Sequence, residues 1–290
     1  MNRAIEKFIE TLFFLAAMIS GLMICAIFGF LLIPGLPLFS DGRFLSILTG
    51  PWAPHLGQFG IYPMITSTLA ITLLAMVFAF PLSLGCAALI SIESKTRFSR
   101  GFRRLLRKIV EMMTGVPTVV YGFIGIFLLV PLVRNIFHTG SGMCILSAAL
   151  MLTLLVSPTM ILLFSDSFES VPRKDKEAVL AIGGTAVQQF LYVTLPYARP
   201  GILVGATLAC GRALGDTLIA LMIAGNAVQV PGSWFDSART LTAHIALVFA
   251  ADYHSPEFQA IFVCAMILYL FSGALAMTAR RIHDRRKIRR

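Results

Sequence analysis

Residues 176–196 read KEAVLAIGGTAVQQFLYVTLP, a short amphipathic segment with a glycine pair and a Leu-Pro stop, set in a chain that is otherwise lipid-soluble. From Lys176 to Ile182 the letters read as a short helix, with Ala178, Val179 and Ile182 on one apolar face at i, i+3, i+4 spacing. Gly183 and Gly184 allow the backbone that turns one helix into the next. Ala186 to Leu195 continues as a second helix, and Pro196 and Pro200 redirect the chain as it re-enters the membrane. A helix shorter than ~12 residues is marginal in water, so something must pack on the first one. Lipid is the default occupant for an amphipathic juxtamembrane helix, and a partner protein is the alternative.

Everything around that segment is membrane sequence. The 290 residues are 57% hydrophobic and 13% charged, with a mean hydropathy of +0.84, outside the range of soluble domains. Crossing a ~30 Å hydrocarbon core takes ~20 helical residues. Apolar runs of that order lie at residues 12–32, 64–90, 112–133, 143–164, 201–228 and 258–279. They predict a single all-α integral membrane domain, residues 1–290, with six transmembrane helices. The first run is longer than a signal-peptide core and lacks a small-residue cleavage site, so it reads as a retained helix. Regular alternation in ~10-residue segments, the signature of an outer-membrane barrel, does not occur.

The net charge of +10 is explained by where the cations lie. Seven fall between Lys95 and Lys108 and seven between Arg280 and Arg290, with further basic residues at Arg3, Lys7, Arg173, Lys174, Lys176 and Arg199. The alternate loops hold only Arg43, Arg134 and Arg239. The positive-inside rule therefore puts both termini, the loop near 94–109, the segment 166–199 and the basic tail 280–290 in the cytoplasm. The excess is a topology signal and a lipid-headgroup contact, not a nucleic-acid surface.

Other residues exclude whole classes. Cys25, Cys86, Cys144, Cys210 and Cys264 lie in apolar segments with no C-x-x-C pair, so they read as small packed hydrophobes. His55, His138, His244, His254 and His283 are dispersed and read as surface residues. There is no P-loop, no H-E-x-x-H, no G-x-S-x-G and no cluster with metal spacing, so the chain is expected to have no catalytic site, metal or cofactor of its own. The outer loop 34–62, with Trp52 and Tyr62, reads as a connector on the membrane surface. Pro117 in GVPTVVYG, residues 115–122, kinks the third span, and a broken helix there is able to line a path. Residues 241–251 are too short an apolar run to cross, which leaves a surface or a re-entrant helix.

The spacing Glu177-Ala178, Gly183, Val193, Leu195-Pro196 resembles the EAA signature of ABC-importer permeases, E-A-A-x(3)-G-x(9)-I-x-L-P, with Val179 and Val193 as departures. The resemblance implies a MetI-like type I importer permease fold. It makes this segment a coupling helix docked on a separate cytoplasmic ATPase, which uses the ATP. GVPTVVYGFIG at 115–125 and GRALGDTLIALMIAGN at 211–226 resemble the phosphate-importer permeases, and PLFSDGRFLSILTGPWAPHLGQFG, RTLTAHIA and VPRKDKEAVLAIGG resemble their PstC-type subunit. That implies a bacterial or archaeal inner-membrane subunit importing inorganic phosphate. Its implied partners are a second, homologous permease and an extracytoplasmic phosphate-binding protein.

Independently of any family, Arg212 needs an explanation. Twelve residues past Pro200 at 1.5 Å each place it ~18 Å into the membrane, where Arg or Asp costs about 2.5–3.5 kcal/mol. Asp216 follows at i+4 and is expected to pair with it, either to fix packing or to hold a guanidinium for which an oxyanion competes. In the phosphate permeases a Glu stands at the Asp216 position, and the resemblance implies a charged pair in the path. Thr217, Thr118 and Tyr121 are hydroxyl donors for the same path, and Asn226 is a weaker candidate. Arg212 does not by itself separate phosphate from sulfate or molybdate. An ion-coupled secondary transporter is disfavoured by the EAA spacing and by the lack of inverted-repeat halves, and an intramembrane enzyme by the lack of a nucleophile–base constellation.

Overall fold

A computed structural model describes residues 3–40, 44–92, 97–138, 140–252 and 255–288. Arg43, Lys95, His254, Arg289 and Arg290 lie outside the described residues. In chain order the elements are α1 (Arg3–Ser40), α2 (Phe44–Thr49), a hairpin of β1 (Trp52–Ala53) and β2 (Gln58–Phe59), α3 (Tyr62–Ser91), α4 (Arg97–Thr114), α5 (Thr118–Ile124), α6 (Val130–Phe137), α7 (Ile145–Glu169), α8 (Arg173–Ala181), α9 (Ala186–Gln189), α10 (Leu195–Leu214), α11 (Leu218–Ile223), α12 (Leu241–Val248) and α13 (Pro256–Ile288). Five of the described helical stretches are long and apolar enough to cross a membrane: Ile5–Ile33, Tyr62–Ser91, Thr118–Phe137, Ile145–Glu169 and Pro256–Ile282. Residues 201–228, expected as one further span, are instead divided between α10 and α11 with a break at Gly215–Thr217.

The central element is α7, most of which is buried. Its small residues Ala148 and Ala149 join Ala75 of α3 in one core cluster, and Val156 joins Ala79 in another, the close backbone approach that builds helix contacts in lipid. Several hydroxyls on these faces bond backbone carbonyls of their own or the facing helix. Ser67 donates to the Pro63 carbonyl at 2.6 Å, and Thr153 to Ala149 at 2.9 Å and across to Ala75 at 3.1 Å. An unsatisfied hydroxyl in hydrocarbon would cost several kcal/mol. Residues 5–27 of α1 are exposed and mostly apolar, a composition suited to lipid, and further along, the helix meets α13 through Phe28–Tyr269 and Phe30–Phe262 ring contacts.

Prolines and glycines shape the bundle differently from their sequence reading. Pro117 does not kink a continuous third span. Extended at φ −60°, ψ 142°, it precedes α5 and separates it from the amphipathic α4. At the other break, Leu195-Pro196 does not stop a helix, because α9 and α10 are joined through a π-helical turn over Phe190–Thr194. The wider turn lets the chain absorb a residue that lacks an N–H donor.

The outer loop is more than a connector. Gly50 and Gly60 approach so closely that a Cβ on Gly60 would collide with the Gly50 backbone, and this contact closes the base of the hairpin. Trp52 then packs edge-on against His244 at 4.3 Å. His244 is fully buried, contrary to its reading as a surface residue. The reason is that α12 turns inward, burying Leu241 to His244, with Thr242 Oγ1 donating to the Asp216 carbonyl at 2.8 Å. Residues 241–248 form a helix whose first turn is buried against the bundle and whose remainder is half-buried or exposed.

Candidate functional site

Arg212 occupies the last turn of α10 with its side chain exposed, and its Nη1 donates to Thr159 Oγ1 on α7 at 2.7 Å. Thr159 sits ten residues before the end of α7, ~15 Å along the helix from that end at 1.5 Å per residue. The expected Arg212–Asp216 ion pair does not form. Asp216 Oδ2 instead accepts the Ile219 backbone N–H at 2.9 Å, capping the first turn of α11. The i, i+4 rule holds only along a continuous helix, and α10 ends at Leu214. Among the described residues the ion pairs are Arg107–Glu111 and Arg107–Glu169.

The remaining path candidates gather at the two helix breaks. Thr118 begins α5, half-buried; Tyr121 is buried, and its hydroxyl donates to the Met113 carbonyl at 3.1 Å, bridging the interruption at Pro117. Thr217 precedes α11, half-buried. Gly122 and Gly125 let α5 lie against α11, because a Cβ at either would collide with Met222 or Ile223. Asn226 serves a turn: its backbone is left-handed at φ 61°, and its Nδ2 donates to the Leu221 carbonyl at 2.7 Å. Thr159 was not singled out from sequence, and the only local signal is a hydroxyl beside Pro158 in an apolar span.

The cytoplasmic segment has another character. No residue of α8 is buried. Glu177, Ala178, Leu180 and Gly183 are exposed, Ile182 is 86% exposed, and beyond the turn Leu191 and Tyr192 are also exposed, Tyr192 at 76%. Leu195 is half-buried and Pro196 exposed. Gly183 takes the left-handed conformation at φ 85°, which favours glycine. Thr185 and Gln188 form a reciprocal capping box that starts α9. The segment is tied to the bundle by Lys176 Nζ donating to the Phe168 carbonyl at 3.0 Å, at the inner end of α7. A cleft of about 670 Å³ lies between it and the end of α3, lined by Ser91, Arg173, Lys176, Glu177 and Gln189 among others. Nearby, Arg107 of α4 donates to Glu169 at 2.6 Å and to Glu111 at 3.1 Å, and the hydrogen bond to Glu169 is the main reason its pKa is raised.

One helix, α7, thus touches both regions: Thr159 meets Arg212, and Phe168 holds Lys176. A displacement of α8 has a direct covalent and hydrogen-bonded route to the arginine.

Residues 79–289 match the family described as binding-protein-dependent transport system inner membrane component. A probable ABC transporter permease protein, YqgH of Bacillus subtilis (strain 168), is 31% identical over 80% of this chain and 74% of its own length. The phosphate transport system permease protein PstC of Mesorhizobium japonicum is 29% identical over 81% of this chain and 77% of its own. Among solved structures, an inward-facing MetNI methionine ABC transporter matches with a TM-score of 0.59 at 20% identity, covering 77% of this chain and 95% of that one. This last likeness identifies the fold as MetI-like.

Proposed function

The chain belongs to the binding-protein-dependent transport system inner membrane components, the multi-pass permease subunits of ABC importers, and on that premise we propose that it carries inorganic phosphate inward. The observation that carries the substrate is the similarity to the phosphate transport system permease over most of the chain. The arginine chemistry agrees with it: a guanidinium offers a fork of five donors suited to an oxyanion, and Arg212 has no carboxylate partner among the described residues.

In this reading the anion passes Arg212, with Asp216, Thr217, Thr118 and Tyr121 around the two helix breaks. Asp216 orders the start of α11 and so fixes where the broken span resumes. Thr159 accepts one hydrogen bond from the guanidinium through a neutral hydroxyl, a weaker partner than a carboxylate, so an arriving anion is able to compete. Binding in a path must allow release. Glu177, Ala178 and Gly183, with Leu195 and Pro196 behind them, form the handle for a separate cytoplasmic ATPase that hydrolyses ATP. A second, homologous permease completes the path, an extracytoplasmic phosphate-binding protein delivers the anion, and both termini face the cytoplasm.

The test is ATPase activity of the reconstituted complex, stimulated by binding protein loaded with phosphate, sulfate or molybdate. Phosphate is expected to stimulate most, and preferential stimulation by either rival would reassign the substrate.

A further inference from the structure

The outer half of the molecule holds a second arginine that the path above does not use. Arg239 lies just before α12, in a stretch held by backbone bonds from Ala238 N to the Ala224 carbonyl at 2.8 Å and from Asn226 N to the Ala238 carbonyl at 3.1 Å. Its side chain is half-buried, and Nε donates to the Asn226 carbonyl at 3.0 Å. Asn226 reaches this position through its left-handed backbone. Among the described residues, no carboxylate pairs with Arg239, and its two terminal nitrogens make no hydrogen bond. The adjacent acid, Asp236, is committed elsewhere, accepting the Gly232 and Ser233 N–H groups at 2.8 Å each.

A half-buried guanidinium without a counter-ion is costly to keep, and its place in the fold suggests what offsets the cost. Thr242, three residues on, bonds the Asp216 carbonyl at the break, and three residues span at most ~10 Å. Arg239 therefore stands near the break between α10 and α11, which follows Arg212 in the chain. Its Nε is fastened and its terminal nitrogens are open, the arrangement of an arginine preset for an anion.

We propose that Arg239 is an outer station for a tetrahedral oxyanion, which binds its two open nitrogens before moving to Arg212. The proposal rests on the oxyanion reading of the path.

The test uses the purified permease–ATPase complex in a neutral detergent free of anionic lipid. Phenylglyoxal modification of individual arginines is read by peptide mass spectrometry, with inorganic phosphate as the probe. Phosphate is expected to slow modification of Arg239 about fivefold relative to chloride at equal ionic strength, as for a bidentate arginine contact. Arg134, which is exposed, serves as the control and is expected to be unaffected. Equal rates at Arg239 in phosphate and chloride overturn the proposal. So does protection that appears only with phosphatidylglycerol, which assigns the site to a lipid headgroup. A variant pair separates charge from turn-holding: Arg239→Lys is expected to retain uptake within about threefold and Arg239→Gln to lose it about tenfold. If the two behave alike, Arg239 merely braces Asn226 and the station is refuted. Protection by sulfate in place of phosphate supports the station while sinking the phosphate reading, so the two fail separately.

Discussion

The two ends of the bundle bury their surfaces in opposite ways. At the outer end the hairpin and α12 are packed: Ile47, Ile61, Met64, Leu241 and Val263 form a closed cluster, and Trp52 lies on a fully buried His244. At the inner end α8 buries nothing and presents Leu180 and Ile182 outward. A short helix with no buried face does not hold itself in water. The outer end thus covers its hairpin and α12 by its own packing, whereas the inner end leaves Leu180 and Ile182 exposed, the feature on which its proposed role as a docking handle rests.

The largest effects should come from the unfinished end. Glu177→Lys or Gly183→Asp is expected to abolish ATP-dependent uptake while the protein still inserts and reaches normal abundance; Gly183→Asp also forces a side chain into φ 85°. Normal uptake in either variant would detach this segment from energy coupling and leave lipid as its occupant. Next comes the link through α7. Arg212→Gln should reduce uptake at least about 100-fold with the ATPase subunit still bound, whereas Thr159→Ala, which only frees the guanidinium, should cost about tenfold or less. Equal losses in the two would mean that Thr159 does more than position Arg212, and unimpaired uptake in Arg212→Gln would reduce the arginine to packing.

Much of this was legible in the letters. Long apolar runs announce helices because the bilayer leaves the backbone no other option, and the segment 176–196 is local, so its two short helices and glycine turn survive into the fold. What was lost depended on contacts distant in sequence. Thr159 and Arg212 are 53 positions apart, and no pattern within either span points to the other. The supposed Arg212–Asp216 pair failed because Gly215 ends α10, whereas Gly122 and Gly125 stay within helical structure. The same residue type has different outcomes, decided by neighbours such as Met222 and Ile223. His244 looked like a loop residue because four buried positions are too few for a periodic signal, and Pro196 looked like a stop because a π-helical turn leaves no signature in composition.

The contrast between the ends also predicts stability. Trp52→Ala removes an aromatic that covers His244 and is expected to destabilise the folded permease by about 2–4 kcal/mol, read as a lowered Tm in detergent. Ile182→Ala should shift stability by no more than about 0.5 kcal/mol, yet weaken ATPase-subunit binding about tenfold. A large stability loss at Ile182 would show that α8 packs on its own bundle and that the two ends are alike.

The smallest effect belongs to the collar between them. Arg107 joins α4 to the inner end of α7 through Glu169, and all three partners are substantially exposed, with side-chain exposures of 38% for Arg107, 50% for Glu111 and 54% for Glu169. Solvent screening limits such a pair to about 1 kcal/mol or less, so Arg107→Gln should lower Tm slightly, and the loss should shrink further at high salt. The pH dependence has a definite sign. Because the folded state raises the Arg107 pKa above its ordinary value, the stabilisation is fully present below the unfolded pKa and is lost only as pH rises through the folded pKa. The Arg107 contribution should therefore be flat from about pH 6 to 9. A double-mutant cycle with Glu169→Gln in that range measures the coupling directly. A coupling energy well above the exposed-pair limit would mean that the collar is shielded from water in the assembled protein, and that the inner end is less open than its exposed side chains indicate.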